Sequence, residues 1–285
     1  MLDKKVSKLA IGTAQFGLDY GINNTFGKVN HEEIGKILDL AYSKNIRTID
    51  TARIYGDAEA VIGQYDLSKW NIISKFNLIN KTSSIEKELD ISLEKLKLKN
   101  IYAYIGHSAE FFIENPIHWK KLIELRELNK IERIGFSIYK TEQLDKLLDQ
   151  GCIPDLVQFQ YNIFDKRFES YFQYLKSINC EIHTRSSFLQ GLFFKTTLPD
   201  YFNPIKNEIK EIQQMFPLNS ERAAYLLSFC LENPFIDKVI IGVQSENELQ
   251  QNLEALNRFS ISKKSTISIA DLHMELLLPY NWPKN

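Results

Sequence analysis

The chain has 285 residues, of which 44% are hydrophobic and 25% are charged, and its formal net charge is −1. This composition is typical of a globular protein with a large core, and it lacks the basic stretches that bind nucleic acid. No apolar run approaches the roughly 18 residues that a transmembrane helix needs, and no signal segment is evident. We therefore predict a cytoplasmic protein without a nucleic-acid or membrane partner.

Three widely spaced cysteines, Cys152, Cys180 and Cys230, predict reduced core thiols rather than a disulfide framework or a zinc site.

Short β-branched or apolar runs alternate along the chain with longer segments of helical period. The predicted strands cover residues 8–13, 46–50, 71–75, 101–106, 131–136, 155–159, 180–184 and 238–242. The predicted helices cover residues 31–44, 57–64, 82–98, 116–129, 141–149, 165–178, 219–232 and 245–257. Eight strand–helix repeats predict an α/β protein, a (β/α)8 TIM barrel that forms a single domain over residues 1–285.

Helix-start signals support these boundaries. Asn30, with Glu33 three residues later, is typical of a helix N-terminus, and Thr82 and Thr141 precede two further helical segments. A doubly wound sheet is the alternative to a barrel, and it is favoured by a G-x-G-x-x-G motif after the first strand. The segment GTAQFG (12–17) does not match that motif, and no helix is predicted directly after it, so the barrel is the preferred prediction.

Polar and ionisable residues stand where the predicted strands end. In a barrel of this kind the active site lies at the C-terminal ends of the strands, so these side chains are expected to share one mouth. The residues are Thr13, Gln15, Asp50, Tyr55, Lys75, His107, Ser137, Gln158, Arg185, Gly242 and Gln244.

Asp50, Tyr55, Lys75 and His107 form a set with its own chemistry. A phenol with an ordinary pKa near ~10 is a weak acid at neutral pH, and a nearby ammonium group lowers that pKa. A carboxylate behind the lysine keeps the ammonium charged, and a histidine beside them can donate a hydrogen bond to a substrate carbonyl. The set suits proton donation to an oxygen on which negative charge develops.

Carbonyl reduction needs such an acid, because the carbon receives hydride while the oxygen receives a proton. The hydride requires a nicotinamide or a flavin. The set includes no nucleophile–base pair for acyl transfer and no cluster of carboxylates and imidazoles at metal-ligand spacing. The residues therefore predict an oxidoreductase without a metal site.

Seven motifs, in chain order and over almost the whole chain, resemble those of the aldo-keto reductases. They are IGTAQFG (11–17), IDTARIYGDAEAVIG (49–63), IISKF (72–76), YIGHS (104–108), IGFSIY (134–139), VQFQYN (157–162) and VIIGVQSENELQQNLEAL (239–256). The resemblance implies a (β/α)8 barrel that reduces a small aldehyde or ketone with NADP or NAD as cofactor. It also implies that Tyr55 is the general acid and that Lys75 lowers its pKa. Asp50 would pair with Lys75, and His107 would orient the carbonyl.

The same resemblance places contacts with the nicotinamide. Ser137 and Gln158 would hold the carboxamide. Arg185 stands where the family commonly has an aromatic residue that stacks on the ring, and a guanidinium can stack in the same way. Gly12 and Thr13, at the end of the first strand, complete this part of the expected cofactor site.

The segment after the eighth strand would carry the diphosphate and the adenosine. Gly242 allows close backbone approach, and Ser245 would cap the next helix or bind a phosphate oxygen at its N-terminus. Asn252 matches the family's adenine contact. Gln244 and Glu246 stand near where NADP-preferring members usually present Lys or Arg, which lowers the expectation of strict NADP use.

The residues expected to contact substrate are Phe16, Arg53 and Phe188. Arg53 lies between Asp50 and Tyr55, where it would meet an anionic substrate, and a solvated loop charge is the alternative. Phe188 lies in the long segment after the seventh strand, which either lines a substrate pocket or packs on the barrel rim. The opening GTAQFGLDYGINNTFGK (12–28) resembles a subgroup associated with bacterial surface-polysaccharide pathways, which implies a sugar-like substrate.

Two other functions stay open on the sequence alone. One is a non-catalytic, nicotinamide-binding regulatory protein of the same fold, and the completeness of the four-residue set favours an enzyme over it. The other is a Schiff-base aldolase, in which Lys75 would be the nucleophile.

Overall fold

The computed structural model describes residues 5–24, 26–78, 83–259 and 275–282. Its eight parallel strands close into a barrel in chain order, and the last strand pairs with the first. The strands are β1 (Leu9–Gly12), β2 (Thr48–Asp50), β3 (Asn71–Phe76), β4 (Ile101–Gly106), β5 (Ile131–Ile138), β6 (Leu156–Gln160), β7 (Glu181–Arg185) and β8 (Lys238–Gly242). This topology confirms the predicted (β/α)8 barrel and rules out the doubly wound sheet.

Helices alternate with the strands and pack against the barrel. They are α1 (Ala14–Gly17), α2 (His31–Ser43), α3 (Ala58–Ile62), α4 (Ile85–Leu96), α5 (Glu110–Glu114), α6 (Trp119–Glu127), α7 (Thr141–Asp149), α8 (Phe172–Ser177), α9 (Lys206–Met215), α10 (Asn219–Leu231) and α11 (Glu246–Arg258). Two predicted helices are shorter than expected, because 3-10 turns at Pro116–His118 and Glu169–Tyr171 precede α6 and α8.

The helix-start signals hold in part. Asn30 caps α2 as predicted, because its side chain accepts a hydrogen bond from the backbone N–H of Glu33 at 2.9 Å. The helix predicted from 82 begins at Ile85 and is capped by Ser84, while Thr82 lies outside the described residues. Thr141 is the first residue of α7 rather than its cap.

The connection between β7 and β8 contains structure that the sequence patterns did not reveal, namely 3-10 turns at Leu189–Phe194 and Asp200–Ile205, followed by α9. The helix α10, which completes the connection, was predicted at residues 219–232 and is found at Asn219–Leu231. The buried apolar side chains of the connection, together with residues that follow β6 and residues near the C-terminus, form a second hydrophobic cluster that we call the β7–β8 cluster: Ile163, Phe164, Leu189, Leu192, Phe193, Leu198, Phe202, Ile205, Ile209, Ile212, Tyr225, Leu226, Leu277 and Trp282. Phe188, Phe229 and Phe259 pack against both this cluster and the main core, so they join the long connection to the barrel.

The main core joins the strands to the surrounding helices through fully buried residues such as Ile11, Ile49 and Leu89. All three cysteines are buried with free thiols, as predicted. Within the described ranges, no helix combines the length and apolar character needed to cross a membrane.

Candidate active site

A cavity of about 1020 Å³ opens at the C-terminal ends of the strands. Each strand of a parallel barrel delivers its last residues to this end, so side chains far apart in sequence meet there. The cavity brings together most of the residues predicted for the site: Gly12, Thr13, Asp50, Tyr55, Lys75, His107, Ser137, Gln158, Arg185, Phe188, Gly242, Gln244, Ser245 and Asn252.

Asp50 and Lys75 form a buried ion pair at the base of the cavity. Lys75 Nζ lies 2.5 Å from Asp50 Oδ1 and also donates to the Thr51 carbonyl at 2.9 Å. Gln158 Nε2 donates to the second carboxylate oxygen of Asp50 at 2.8 Å. Both charges are almost fully buried, so these hydrogen bonds compensate for the loss of water. Burial lowers the pKa of Lys75, and the Asp50 carboxylate opposes that shift.

Tyr55 and His107 lie next to this pair. Lys75 Nζ is 5.1 Å from the centroid of the Tyr55 ring, and the rings of Tyr55 and His107 meet edge to face at 6.0 Å. Among the described residues, none forms a hydrogen bond with the Tyr55 phenol. The cavity therefore presents a phenol and an imidazole that can interact with a bound molecule.

Two glycines fix the position of Tyr55. Gly56 adopts a φ of +59°, a conformation that favours glycine, and it turns the chain directly after Tyr55. Gly17, at the end of α1, packs against the same turn so closely that a Cβ atom there would lie 1.8 Å from the Tyr55 carbonyl oxygen. The segment after β1 thus supports the loop after β2 and restricts the backbone position of Tyr55.

The pKa of Tyr55 is shifted in the direction opposite to the predicted one. Burial raises it above the ordinary value, the Asp50 carboxylate raises it further, and the Arg185 guanidinium opposes both. The predicted net lowering by Lys75 is therefore not found. A phenol with a raised pKa stays protonated at neutral pH, which is the form that a proton donor needs.

His107 is neutral at physiological pH. Burial lowers its pKa to about 3, and the charges of Lys75 and Arg185 act in the same direction. Its Nδ1 atom is buried and has no hydrogen-bond partner within the described part of the chain. A neutral imidazole can donate one hydrogen bond to an oxygen without carrying a charge.

The part of the cavity next to β8 and the start of α11 is lined by polar groups. Ser245 caps α11 by accepting from the Glu248 backbone N–H at 3.1 Å. Asn252 Nδ2 and Gln15 Oε1 are buried without partners among the described residues, and both residues line the cavity. Buried polar atoms of this kind are normally satisfied, so their orphan state here is consistent with a ligand that supplies the partners.

The sequence profile of the aldo/keto reductase family matches residues 8–273. The chain belongs to the aldo/keto reductase family. This aldo/keto reductase is 21% identical over 306 aligned positions to L-galactose dehydrogenase of Arabidopsis thaliana, covering 98% of this chain and 94% of the relative. It is 28% identical over 167 positions to methylglyoxal reductase DkgA of Escherichia coli (strain K12), covering 56% of this chain and 59% of the relative.

Solved structures agree on the fold of this aldo/keto reductase. The holo form of aldo-keto reductase AKR11C1 from Bacillus halodurans matches it with a TM-score of 0.72 at 19% sequence identity, over 95% of this chain and 91% of that one. The family and its named relatives establish an oxidoreductase that acts on carbonyl compounds, and the family generally uses NAD(P)H.

Two expected substrate contacts of this aldo/keto reductase are placed elsewhere by the structure. Phe16 is fully buried in the main core, because the single turn of α1 directs its ring away from the cavity. Arg53 donates to Glu88 at 3.0 Å and to Glu59 at 3.1 Å, so its charge is neutralised outside the cavity. Both predicted alternatives for Arg53, a contact with an anionic substrate and a solvated loop charge, are therefore wrong. Arg53 forms a structural ion pair.

Several residues that line the cavity were missed from the sequence: Tyr20, Glu33, Tyr139, Gln190, Glu248 and Tyr280. Tyr20 and Gln190 meet across the mouth, where Gln190 Nε2 donates to the Tyr20 hydroxyl at 2.8 Å. Tyr139 lies two positions past the predicted contact Ser137, and its place directly after β5 was an available signal. The other residues lie in loops and helices, and a search for polar residues at the ends of predicted strands does not find them.

Proposed function

We propose that this aldo/keto reductase transfers hydride from NAD(P)H to the carbonyl carbon of an aldehyde or ketone, with Tyr55 protonating the oxygen. The observation that carries this proposal is the free phenol of Tyr55, which faces the cavity beside the buried Asp50–Lys75 pair. The balanced reaction consumes the carbonyl compound, NAD(P)H and one proton, and yields an alcohol and NAD(P)+.

Each side chain has a distinct part in this reaction. A reduced nicotinamide, when bound, supplies the hydride. Tyr55 gives its proton to the substrate oxygen, which becomes more basic than a phenolate as it gains negative charge. His107 is neutral and donates a hydrogen bond to the same oxygen. Lys75, held by Asp50 and Thr51, stabilises the phenolate that remains on Tyr55.

The cofactor would extend from Ser137 and Gln158 towards α11. Ser137 lines the cavity, and Gln158 already donates to Asp50, so Gln158 would serve both the carboxylate and the carboxamide. Gly242, Ser245 and Asn252 would contact the diphosphate and the adenosine. Gly12 and Thr13 line the same wall.

We expect NADH to be accepted at least as well as NADPH. Gln244 and Glu248 stand at the start of α11, and the Glu248 carboxylate accepts from the Gln244 backbone N–H at 2.8 Å. Glu33 accepts from the Glu246 backbone N–H at 2.6 Å. Carboxylates are good acceptors for ribose hydroxyls and repel a 2′-phosphate, whose charge is close to −2.

For the substrate we propose a small, polar carbonyl compound, including a sugar or sugar derivative. The two named relatives are a dehydrogenase of L-galactose and a reductase of methylglyoxal, which span that range. Phe188, packed edge to face on Phe194 at 5.4 Å, supplies an apolar part of the wall, and Tyr20 and Gln190 supply polar groups.

The structure gives the aldolase alternative less support. Lys75 is paired with Asp50 at 2.5 Å and is 1% exposed, so its ammonium is occupied rather than free to attack a carbonyl. A regulatory protein would have no use for the Tyr55 phenol and the His107 ring, so this alternative does not account for them.

The test uses NADH deuterated at nicotinamide C4 together with 4-nitrobenzaldehyde and glyceraldehyde. We expect the alcohol product to carry one deuterium on its carbinol carbon, measured by mass spectrometry. Tight cofactor binding by fluorescence with no oxidation of NADH or NADPH would support the regulatory protein instead. Borohydride trapping of an aldehyde on Lys75 would support the aldolase.

A further inference from the structure

The guanidinium of Arg185, the last residue of β7, is left almost without partners in the cavity. It is partly buried and lies over the ring of Tyr139, with Cζ 4.2 Å from the ring centroid. Its two hydrogen bonds, to Ser186 Oγ and to the Ile138 carbonyl, are both 3.5 Å long, which is the outer limit for such a contact. Most of its five N–H donors are therefore unused.

Three other arginines of low exposure are fully engaged. Arg53 pairs with two glutamates, and Arg167 pairs with Asp165 through contacts of 2.8 and 3.0 Å. Arg222 donates to a set of backbone carbonyls at 2.9–3.2 Å. For Arg185, in contrast, no carboxylate lies within 4 Å in residues 5–24, 26–78, 83–259 and 275–282. A half-buried charge in this state is energetically costly unless a ligand provides the counter-charge.

The carboxylates that line the cavity are occupied elsewhere. Asp50 is held by Lys75 and Gln158. Glu33 and Glu248 accept backbone N–H groups at the start of α11. The end of the cavity that contains Arg185 therefore has a positive charge that no acidic side chain of the cavity neutralises.

Arg185 is close to the reacting groups. Its charge lowers the pKa of Tyr55 and also that of His107, so its field reaches both. A planar guanidinium binds a carboxylate through two parallel hydrogen bonds and fixes its orientation. A carboxylate bound there would anchor a substrate whose carbonyl group lies at Tyr55.

We infer that Arg185 is a specificity-determining residue that selects carbonyl substrates bearing a carboxylate or another anionic group. This inference rests on the proposed carbonyl reduction and defines the substrate class of that same site. The anion could also come from the diphosphate of the cofactor, which presents the same chemistry to a guanidinium. The experiment separates these two sources.

The experiment compares 4-carboxybenzaldehyde with its neutral methyl ester, methyl 4-formylbenzoate, which has the same reacting group. Charge-assisted hydrogen bonds lead us to expect that the ratio of kcat/KM, acid over ester, exceeds one by roughly tenfold to a hundredfold in the wild-type protein. In Arg185→Gln the ratio falls close to one, and Arg185→Lys retains part of it. The ratio within one variant cancels any effect on cofactor binding that both substrates share.

Arg47→Gln is the matched control. The Arg47 guanidinium also lies over a tyrosine ring, 3.7 Å from the centroid of Tyr42, and it is partly buried, but it does not line the cavity. The same chemical change at Arg47 should leave the acid-over-ester ratio unchanged. Dissociation constants of NADH and NADPH, measured by fluorescence for each variant, report on the second source of the anion.

A binding measurement keeps the inference testable without turnover. Calorimetry with benzoate and benzamide should show that the cofactor-loaded protein prefers benzoate, and that Arg185→Gln loses this preference. Equal binding of both probes, or an acid-over-ester ratio unaffected by Arg185→Gln, overturns the inference. A weakened cofactor affinity with an unchanged ratio assigns Arg185 to the diphosphate and also overturns it. Failure of both aldehydes to oxidise NADH or NADPH contradicts the proposed function, and the benzoate result then decides the anion site separately.

Discussion

The two ends of the barrel contain nearly the same residue types, but these side chains bond to one another at one end, whereas some of them have no partner at the other. At the N-terminal end, Tyr102 donates to Glu181, His183 lies 3.0 Å from the same carboxylate, and Arg133 approaches it at 3.7 Å. At the C-terminal end a tyrosine, a histidine, an aspartate and a lysine are assembled, but the phenol and the imidazole have no partner within the described residues. A tyrosine, a carboxylate, a histidine and a cation that lie together therefore do not by themselves make a functional site. What distinguishes the C-terminal end is a cavity and polar groups left free to meet a ligand.

Replacing one tyrosine at each end of the barrel, in separate variants, tests this difference and has the largest expected effect. Tyr55→Phe removes the proton donor and should lower kcat by roughly 10²–10⁴-fold, since general acid catalysis has that magnitude. Cofactor affinity, measured by fluorescence, should change little. Tyr102→Phe makes the same chemical change at the other end and should keep wild-type turnover while losing about 1 kcal/mol of unfolding free energy. Wild-type turnover in Tyr55→Phe would refute the assigned acid.

Removing Lys75 should affect both activity and stability. Lys75→Met leaves the buried Asp50 carboxylate uncompensated, which costs about 3–5 kcal/mol of unfolding free energy in comparable pairs. The double variant with Asp50→Asn should regain part of that stability in a denaturant titration but none of the turnover. Full recovery of turnover in the double variant would show that the pair has only a structural role.

A methyl group at Gly17 should act on catalysis through the backbone of Tyr55. Because the Cβ of Gly17→Ala would lie 1.8 Å from the Tyr55 carbonyl oxygen, the loop must shift. We expect a loss of about 1–3 kcal/mol in stability and a clear fall in kcat. Gly151→Ala is the control for a loss of stability far from Tyr55, since Gly151 has a φ of +75°, which disfavours alanine, and no atom lies within 4 Å of its Cβ position. That variant should lose stability alone, and an equal fall in kcat would contradict the positioning role.

Neutralising Glu248 should have a smaller effect, confined to cofactor choice. Glu248→Gln removes a carboxylate from the α11 end of the cavity and should improve the affinity for NADPH relative to NADH by roughly threefold to tenfold, about 1 kcal/mol. Glu181→Gln, at the other end of the barrel, should leave this ratio unchanged. A ratio that does not respond to Glu248→Gln would remove the basis for expecting NADH to be accepted.

The pH dependence should differ between activity and stability. The pKa of His107 is lowered to about 3 and that of Tyr55 is raised, so neither titrates near neutrality, and kcat for reduction should stay constant from about pH 5 to pH 9. A step near the ordinary histidine pKa would contradict this.

Stability, in contrast, should fall on acidification. The pKa of His107 is lower in the folded protein than its ordinary 6.5, so the unfolded chain takes up the proton first and stability declines as the pH falls below that value. Burial alone would raise the pKa of Glu181, but hydrogen bonds from His183 and Tyr102 lower it from 4.5 to about 2. Its contribution is complete above pH 4.5 and is lost as the pH falls towards 2. Thermal unfolding across this range measures both.

The sequence predicted the barrel well because its strands are short β-branched runs whose boundaries are set by local chemistry. The four ionisable residues were identifiable because a parallel barrel delivers strand ends to one place. The partners of Arg53 were not, since Glu59 and Glu88 reach it only through the packing of α3 and α4. The raised pKa of Tyr55 could not be predicted either, because burial depends on the whole fold, and burial outweighs the opposing charge of the Arg185 guanidinium.

The β7–β8 cluster has a consequence for how the pocket can change. The segment that follows β7 and carries Phe188 includes three non-glycine residues with positive φ, Ser186 at 64°, Leu189 at 46° and Gln190 at 52°, and this conformation is tolerated only where packing enforces it. The packing comes from Leu189, Leu192 and Phe193, which are buried in the cluster, while Phe188 packs against both the cluster and the main core. Because the cluster supports this wall of the cavity, we expect a library that varies Phe188 and Gln190 to alter substrate preference while the Asp50–Lys75 pair stays intact.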